Sequence, residues 1–301
     1  MAKLKKRIKA TKGVKKTTRT MELISSVYLR KYQEKARHIS AFTQELSQMK
    51  DIFEQEYEEM LFQANPELPK VFILFSSFRG LCGNFDALIK RRLSEYITEH
   101  KDSEFAYIIV FGRRSVHWVR DMHTQKLEQF TIDKNEAEVL RNVAVQIKRM
   151  IMAEEVGQVD LMYTHLSGGV YFPVLEELLH SDISTHSVSG QERRQDQETG
   201  GKGTACEVEA IHDFMREYLL ENYLYAHLYN AYFDSICSEN LARTFAMKQA
   251  TKSAGEMIDR FTLAYNKERQ ARITQEVSEI VAGMKRPVKN HGEKTKITIK
   301  F

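Results

Sequence analysis

Proline is absent from two long parts of this 301-residue chain, residues 1–65 and 174–286. The four prolines are Pro66, Pro69, Pro173 and Pro287. Because a proline inside a helix costs about 3 kcal/mol, long helices form where proline is missing. The sequence therefore predicts one long helix near each end of the chain, with a different kind of structure between them.

Apolar residues recur at helical spacing in both proline-free parts. In the first part the steps alternate between three and four residues, as in a coiled-coil seam, at Ile39, Phe42, Leu46, Met49 and Phe53. Between Val208 and Gly283 only Gly255 is a poor helix former, so it is a candidate for a locally less stable position in the helix. That helix would be roughly 110 Å long, at 1.5 Å per residue. No compact domain encloses such a length, so we expect most of it to pack on another long helix or inside another protein.

The middle of the chain alternates short apolar runs with helical segments. The runs are typical of buried strands and lie at Lys70–Ser77, Ala106–Gly112 and Val159–Leu166. Helical patterns at 87–100 and 136–156 separate them. This alternation predicts an inserted, Rossmann-like α/β domain with a mainly parallel sheet. The polar, glycine-rich segment 187–203 is predicted to be a loop.

These patterns divide the chain into four predicted parts. They are an N-terminal helix over 1–65, the α/β domain over 66–206, a C-terminal helix over 207–284 and a basic tail over 285–301. Both ends are cationic although the net charge is only +4, and no acid precedes Glu22. The basic start has the composition of a transit peptide, but its residues belong to the longer predicted helix, so we interpret it as helix.

The composition argues against several classes of protein. No apolar run approaches the roughly 20 residues that cross a bilayer. The three cysteines lack CxxC spacing, which favours a reducing compartment over a disulfide framework or a zinc site. The basic first turns lack the aromatic residues that single-strand nucleic-acid binders interleave with their cations. We therefore expect no nucleic-acid partner and no direct insertion into a membrane.

The segment Ser76–Asp86, "SSFRGLCGNFD", lies between a predicted strand and a predicted helix, where phosphate-binding loops occur. It contains neither a Walker motif nor G-x-G-x-x-G, so no nucleotide cofactor is predicted. We interpret Cys82 as a small buried thiol at a tight turn, because no His or Asp motif accompanies it. The histidines are scattered singly. The sequence thus predicts no catalytic residues, no metal site and no enzyme acting alone.

Four segments resemble the gamma subunit of F-type ATP synthases. They are "RIKATKGVKKTTRTMELISSVYLRK" (7–31), "RGLCGNFD" (79–86), "SENLARTFAMKQAT" (238–251) and "YNKERQARITQEVSEIVAG" (265–283). They occur in the family's order and span nearly the whole chain.

The resemblance implies a rotor role. In that family the two terminal helices form a long antiparallel coiled coil whose tip enters a hexamer of alpha and beta subunits. The α/β domain sits against the epsilon subunit and the ring of c subunits. One copy per complex transmits torque, which couples ATP synthesis or hydrolysis to ion translocation, while the active sites lie on the partner subunits. The resemblance therefore predicts a peripheral protein on the cytoplasmic face of a bacterial membrane.

The resemblance also implies contact residues. Candidate contacts with the stator, meaning the surrounding alpha and beta subunits, are Arg269, Gln270, Thr274, Gln275, Met21, Glu22 and Arg243. Candidate contacts with the rotor ring are Arg79, Gly80 and Asp86. Within the coiled coil, we expect Tyr265, Ile273, Val277 and Ile280 to face the partner helix.

Some positions depart from the family pattern. Lys252 replaces an acid, Thr18 replaces an apolar residue and Asp86 replaces an asparagine, while the tail 285–301 extends past the usual end. These departures indicate a divergent branch, with a dedicated hydrolytic pump as one alternative to conventional synthesis. Two other readings stay open at this point: a free-standing basic coiled-coil adaptor or nucleic-acid-binding protein, and an enzyme built on the α/β domain.

Overall fold

The computed structural model describes residues 1–57, 64–100, 104–113, 115–120, 122, 124–132, 135–179 and 202–284; the side chains of 53–57, 202–213 and 284 are outside that description. The tail 285–301 and most of the predicted loop 187–203 thus lie outside the described residues. In the described part of the chain, no helix carries an apolar stretch long enough to cross a membrane.

The two predicted long helices are confirmed. Helix α1 comprises Ala2–Tyr57, and helix α4 comprises Lys202–Met284. Helix α4 continues through Gly255 without interruption, and a side chain there would contact the Lys15 ammonium 3.3 Å away. The helix begins at Lys202, five residues before the predicted start at residue 207, so that it includes the end of the predicted loop 187–203. The four domain boundaries proposed from sequence stay predictions.

A five-stranded sheet forms the middle of the chain. Its strands are β1 (Lys70–Phe75), β2 (Phe105–Phe111), β3 (Thr124–Phe130), β4 (Gln158–Ser167) and β5 (Val170–Glu177). Their spatial order is β3-β2-β1-β4-β5, and only β5 pairs antiparallel. Helices α2 (Phe85–Glu99) and α3 (Glu136–Met152) connect the strands, with a short 3-10 helix at Val116–Trp118. The predicted α/β domain with a mainly parallel sheet is confirmed.

Strands β3 and β5 were not predicted, because both lie at the edges of the sheet and carry many polar residues. Strand β3 reads "TQKLEQF" and buries none of its residues fully. Strand β5 follows β4 directly through Gly168 and Gly169, whose φ angles of +57° and +80° suit a tight hairpin turn. Because these two edge strands are partly exposed, their sequences lack the continuous apolar run of a buried central strand.

The sheet is covered on both faces. Val71, Ile73 and Phe75 of β1 belong to a core that includes residues of α3 and α4, such as Leu140 and Leu224. The alternate residues Phe72 and Leu74 belong to a second core with α2, built around Phe85, Ile89 and Leu93. Because successive strand residues point to opposite faces, a continuous apolar run is what a sheet buried on both faces requires.

The described chain forms two compact units. Among the described residues, one unit contains Met1–Arg19 together with residues 249–284, and the other contains those between Thr20 and Lys248. In the first unit Thr251 donates a hydrogen bond to the Thr18 hydroxyl at 2.8 Å, Arg7 lies over the Phe261 ring, and the Met1 amine pairs with Glu268. The residue numbers rise along one helix as they fall along the other, so the two segments are antiparallel, as predicted.

The prediction that Ile273, Val277 and Ile280 face the partner helix is wrong. Their side chains are 50%, 54% and 60% exposed. The Met1 amine at the start of α1 pairs with Glu268, which precedes these three positions on α4. Tyr265, which precedes Glu268, is half-buried.

Candidate functional site

The loop after β1 lies at the carboxyl end of a central parallel strand, where α/β domains usually bind ligands. It contains two residues in the left-handed region, Leu81 with φ +66° and Gly83 with φ +64°. The Ser77 hydroxyl donates to the Asp86 carboxylate at 2.8 Å, which fixes the loop to the first turn of α2. A carboxylate at a helix N-terminus is also favoured by the helix dipole.

A carboxylate of the same chain occupies the amide donors of this loop. The backbone N–H groups of Phe78 and Arg79 donate to the two oxygens of Glu239 at 2.8 and 3.1 Å. In nucleotide-binding domains, N–H groups at the corresponding place hold a phosphate. Since Glu239 of α4 takes that place, this geometry agrees with the missing nucleotide motif.

Arg243, one helical turn beyond Glu239, binds the carbonyl side of the same loop. Its guanidinium donates to the carbonyl oxygens of Arg79 at 2.9 Å and Gly80 at 3.2 Å, to the Asn240 side chain at 3.1 Å, and to Glu239. Arg243 is only 6% exposed and Glu239 3%. Burial raises the pKa of the Glu239 carboxyl, although the Arg243 cation and the two amides oppose that shift.

The structure therefore brings into contact residues for which the sequence predicts different partners. Arg79, Gly80 and Arg243 meet through backbone and side-chain contacts, whereas the sequence assigned Arg243 to the stator and the other two to the rotor ring. The stator and ring contacts stay predictions; within the chain, Arg243 holds the loop. Glu239 was missed, although the spacing of Glu and Arg in "SENLAR" is that of an ion pair on one helix face.

Cys82 is confirmed as a buried thiol at a tight turn, with 4% of its surface exposed. Burial, followed by the neighbouring Asp86 and Glu239 carboxylates, raises the pKa of the Cys82 thiol to about 11. The thiol is therefore protonated near neutral pH, and a protonated thiol is a poor nucleophile.

The end of α4 presents the remaining candidate residues to solvent. Arg269, Gln270, Thr274 and Gln275 are all exposed. On the same turns Ile273, Val277, Ile280 and Val281 form what we call the apolar stripe, which is at least half exposed at every position. These spacings of three and four residues place the stripe on one helix face, and an exposed apolar stripe beside polar residues marks a surface for another protein.

On α1, Met21 and Glu22 are both half-buried. The neighbouring apolar residues are more open: Leu23 is 53% exposed, Ile24 50% and Val27 65%. A second apolar surface thus flanks the predicted contact residues of α1.

An open cleft of about 520 Å³ is lined by Asp86, Arg113, Val116, His117, Trp118, Arg120 and Gln129. Its lining mixes acidic and basic side chains. Among the residues that the structure describes, no three His, Cys, Asp or Glu side chains are grouped to hold a metal ion.

Solved structures with a similar fold come from rotary enzymes. A chain of the Euglena gracilis mitochondrial ATP synthase rotor matches with a TM-score of 0.55 at 14% identity, covering 90% of this chain and 97% of that chain. A chain from the central stalk and c ring of the Tetrahymena thermophila mitochondrial ATP synthase matches with a TM-score of 0.53 at 16% identity, covering 78% and 99%. The fold is thus that of ATP synthase central-stalk chains.

Sequence relatives identify the family. A family profile described as ATP synthase matches residues 1–285. The ATP synthase gamma chain of Clostridium botulinum (strain Langeland) is 30% identical over 284 residues, covering 93% of this chain and 95% of that protein. The gamma chain of Moorella thermoacetica is 30% identical over 289 residues, covering 94% and 97%. The chain belongs to the ATP synthase gamma-chain family, which confirms the resemblance carried by the four segments.

Proposed function

We propose that this chain is the central rotor shaft of an F-type rotary ATPase. It transmits torque between a catalytic hexamer and a membrane rotor ring, and so couples ATP synthesis or hydrolysis to ion translocation. The observation that carries the proposal is the end of α4, where the apolar stripe and the polar residues beside it are exposed together. Such a helix lowers its free energy when a surrounding protein covers the stripe.

The coupling follows from binding thermodynamics. Three chemically identical catalytic sites around one asymmetric shaft meet different faces of it, so each site is biased toward a different conformation. Because coupling between binding equilibria is reciprocal, nucleotide state shifts the shaft angle and shaft angle shifts nucleotide affinity. The shaft needs stiffness and shape for this task, while the active sites lie on the partner subunits.

Within this proposal Arg269 and Gln270 hydrogen-bond the surrounding beta subunits, with Thr274 and Gln275 about one turn further on. Met21, Glu22 and Arg243 lie toward the moving part of the beta subunit. Arg79, Gly80 and Asp86 lie toward the rotor ring. Support comes from the exposure of the four α4 residues and from the matched motifs.

The proposed partners are the alpha and beta subunits, an epsilon subunit and a ring of c subunits, with one copy of this chain per complex. Supporting this, the Tetrahymena structure is of a central stalk with its c ring, and a further Euglena structure contains F1 and a c ring. The complex is proposed to lie on the cytoplasmic face of a bacterial membrane. This chain would be a peripheral member of it.

Co-expression tests the proposal. The chain is produced with the alpha and beta subunits of its own source, purified through a tag on beta, and the product is imaged by electron microscopy. We expect the chain to co-purify and to fill the central cavity of the hexamer. A chain that stays out of the hexamer and instead binds DNA or RNA in a salt-dependent way would overturn the proposal in favour of a free-standing basic adaptor.

A further inference from the structure

Two neighbouring side chains of α4 hold both sides of the loop after β1. Glu239 accepts hydrogen bonds from the amides of Phe78 and Arg79, and Arg243 donates to the carbonyls of Arg79 and Gly80. Glu239 and Arg243 also pair with each other. We call this set of contacts the clasp. It joins positions about 160 residues apart in the chain.

The hydrogen bonds of the clasp oppose sliding and turning of α4 on the sheet. Apolar contacts between α4 and the sheet oppose separation, but the hydrophobic effect is non-directional, so it defines the register of a helix on a sheet less strictly than hydrogen bonds do. Hydrogen bonds weaken steeply when their angle or length changes. A slip of α4 by one residue, about 1.5 Å, would break all four bonds between the clasp side chains and the loop.

The clasp is also shielded from water. Glu239 and Arg243 are 3% and 6% exposed, so salt and solvent screen their pairing far less than that of a surface pair. Further polar contacts tie α4 to β4 nearby: the Ser238 hydroxyl donates to the Thr164 carbonyl at 3.1 Å, and the Thr164 amide donates to the Ser235 hydroxyl at 3.3 Å. These bonds lie within one turn of Glu239 on α4, where α4 crosses the end of the sheet.

We propose that the clasp is the mechanical joint between the α/β domain and α4, through which torque passes from one to the other. The inference rests on the proposed rotor function and deepens it. Glu239 and Arg243 act as positioning residues: through their hydrogen bonds to the loop they keep α4 from slipping on the domain under load.

The test uses the complete complex in lipid vesicles, with the ATP hydrolysis rate and ATP-driven ion pumping measured on the same preparation. Glu239→Gln keeps the side-chain size but removes the charge and one acceptor. Arg243→Lys keeps the charge but loses the planar fork that reaches two carbonyls. In both variants we expect pumping per ATP hydrolysed to fall about threefold or more, while the complex still assembles. Unchanged pumping per ATP in assembled complexes would overturn the inference.

A matched control is Glu95→Gln on α2. Glu95 pairs with Arg91 at i,i+4 spacing, as Glu239 does with Arg243, but it is exposed and lies outside the clasp. We expect this variant to pump as the unmodified complex does. A similar loss in Glu95→Gln would mean that the assay reports any lost ion pair, and the inference would fail.

A disulfide that replaces the weakened clasp tests whether the clasp acts as a mechanical joint or only stabilises the fold. A side chain at Gly83 would place its Cβ 3.4 Å from the Cβ of Ala246, close to the roughly 3.5–4.5 Å of a disulfide. Gly83→Cys with Ala246→Cys, in a chain carrying Glu239→Gln and Cys82→Ala, would cross-link the loop to α4. Because Gly83 is in the left-handed region, the oxidised form is compared with the reduced form of the same chain.

We expect oxidation to restore pumping per ATP and reduction to abolish the gain. Failure of restoration, with the disulfide shown by mass spectrometry, would overturn the inference. Failure of the unmodified chain to enter the hexamer would instead overturn the rotor proposal, so the two failures are distinguishable.

Discussion

Gly112 lies where the chain leaves β2 and passes close to the end of β1. Its φ angle is +136°, and an added Cβ would lie 2.0 Å from the Ser76 hydroxyl and 3.1 Å from the Ser77 carbonyl oxygen. Glycine is therefore required for two reasons: residues with a side chain rarely adopt this φ angle, and there is no space for a Cβ. The sequence places a glycine at the end of a strand, but only the neighbouring strand shows why it cannot be replaced.

We expect Gly112→Ala to lower the free energy of unfolding by at least about 2 kcal/mol, through overpacking and backbone strain. Gly13→Ala is the matched control, because nothing lies within 4 Å of its added Cβ and it is inside α1. There the same substitution should stabilise by up to about 1 kcal/mol through helix propensity. Urea unfolding of both variants measures the two effects. Equal effects of the two substitutions would refute the argument.

Cys82 predicts a dependence of stability on alkaline pH. Its pKa is raised from 9.0 to about 11, so above pH 9 the unfolded chain releases this proton while the folded chain keeps it. Stability therefore falls from pH 9 to 11, by about 2 kcal/mol for this group. The free energy of unfolding of the unmodified chain, relative to that of Cys82→Ala, should fall by that amount between pH 9 and 11. Urea unfolding in reducing buffer measures this difference. A difference that stays constant with pH would contradict the assignment.

Helix α4 is the element whose surroundings change most along its length. Between Leu219 and Ile236 its apolar side chains belong to the core of the sheet, whereas from Ile273 onward they are exposed. The helical spacing of apolar residues is similar in both stretches. The periodicity therefore predicted the helix correctly, but it did not predict which stretch of the helix is buried and which is exposed.

This contrast gives a stability prediction for α4. Leu224 is fully buried, and we expect Leu224→Ala to destabilise by about 2–5 kcal/mol through the lost burial and the cavity left behind. Leu263 is 71% exposed, so Leu263→Ala should change stability by no more than about 0.5 kcal/mol. Chemical denaturation of the full chain compares them. Similar losses in both variants would show that the exposed stretch is packed in solution.

Among the described residues of the molecule, the sheet of the α/β domain is covered on both faces, whereas the apolar side chains at the end of α4 are exposed. Every candidate contact residue on that end is a polar side chain beside the apolar stripe. Under the proposed function, these exposed residues would bind partners without contributing to the packing of the fold.

For the proposed rotor, Arg269→Ala combined with Gln270→Ala should lower ATP turnover of the assembled complex about tenfold, since the lost hydrogen bonds to the stator contribute about 1–1.5 kcal/mol in total. Both side chains are exposed, so the melting temperature of the isolated chain should stay within about 2 °C. Turnover equal to that of the unmodified complex would remove these two residues from the contact set. Arg260→Ala, on an exposed position of the same helix, serves as the control.

The two long helices, the three central strands and the family could all be predicted from the sequence. Helix formation depends on the local absence of proline and on apolar spacing, and buried central strands need continuous apolar runs, so these features are visible in short windows of sequence. The polar edge strands β3 and β5 carry no such local signal, and they form because β2 and β4 offer unpaired edges.

The contacts among the candidate residues, by contrast, depend on packing between parts of the chain that are distant in sequence. Glu239 lies 161 positions from Phe78, and its carboxylate reaches the loop because the packing of α4 on the sheet places it there. Likewise, Ile273, Val277 and Ile280 are exposed although their spacing is that of a buried helix face. The reason is physical: periodicity states which face of a helix is apolar, whereas the covering of that face depends on the length and register of whatever packs against it.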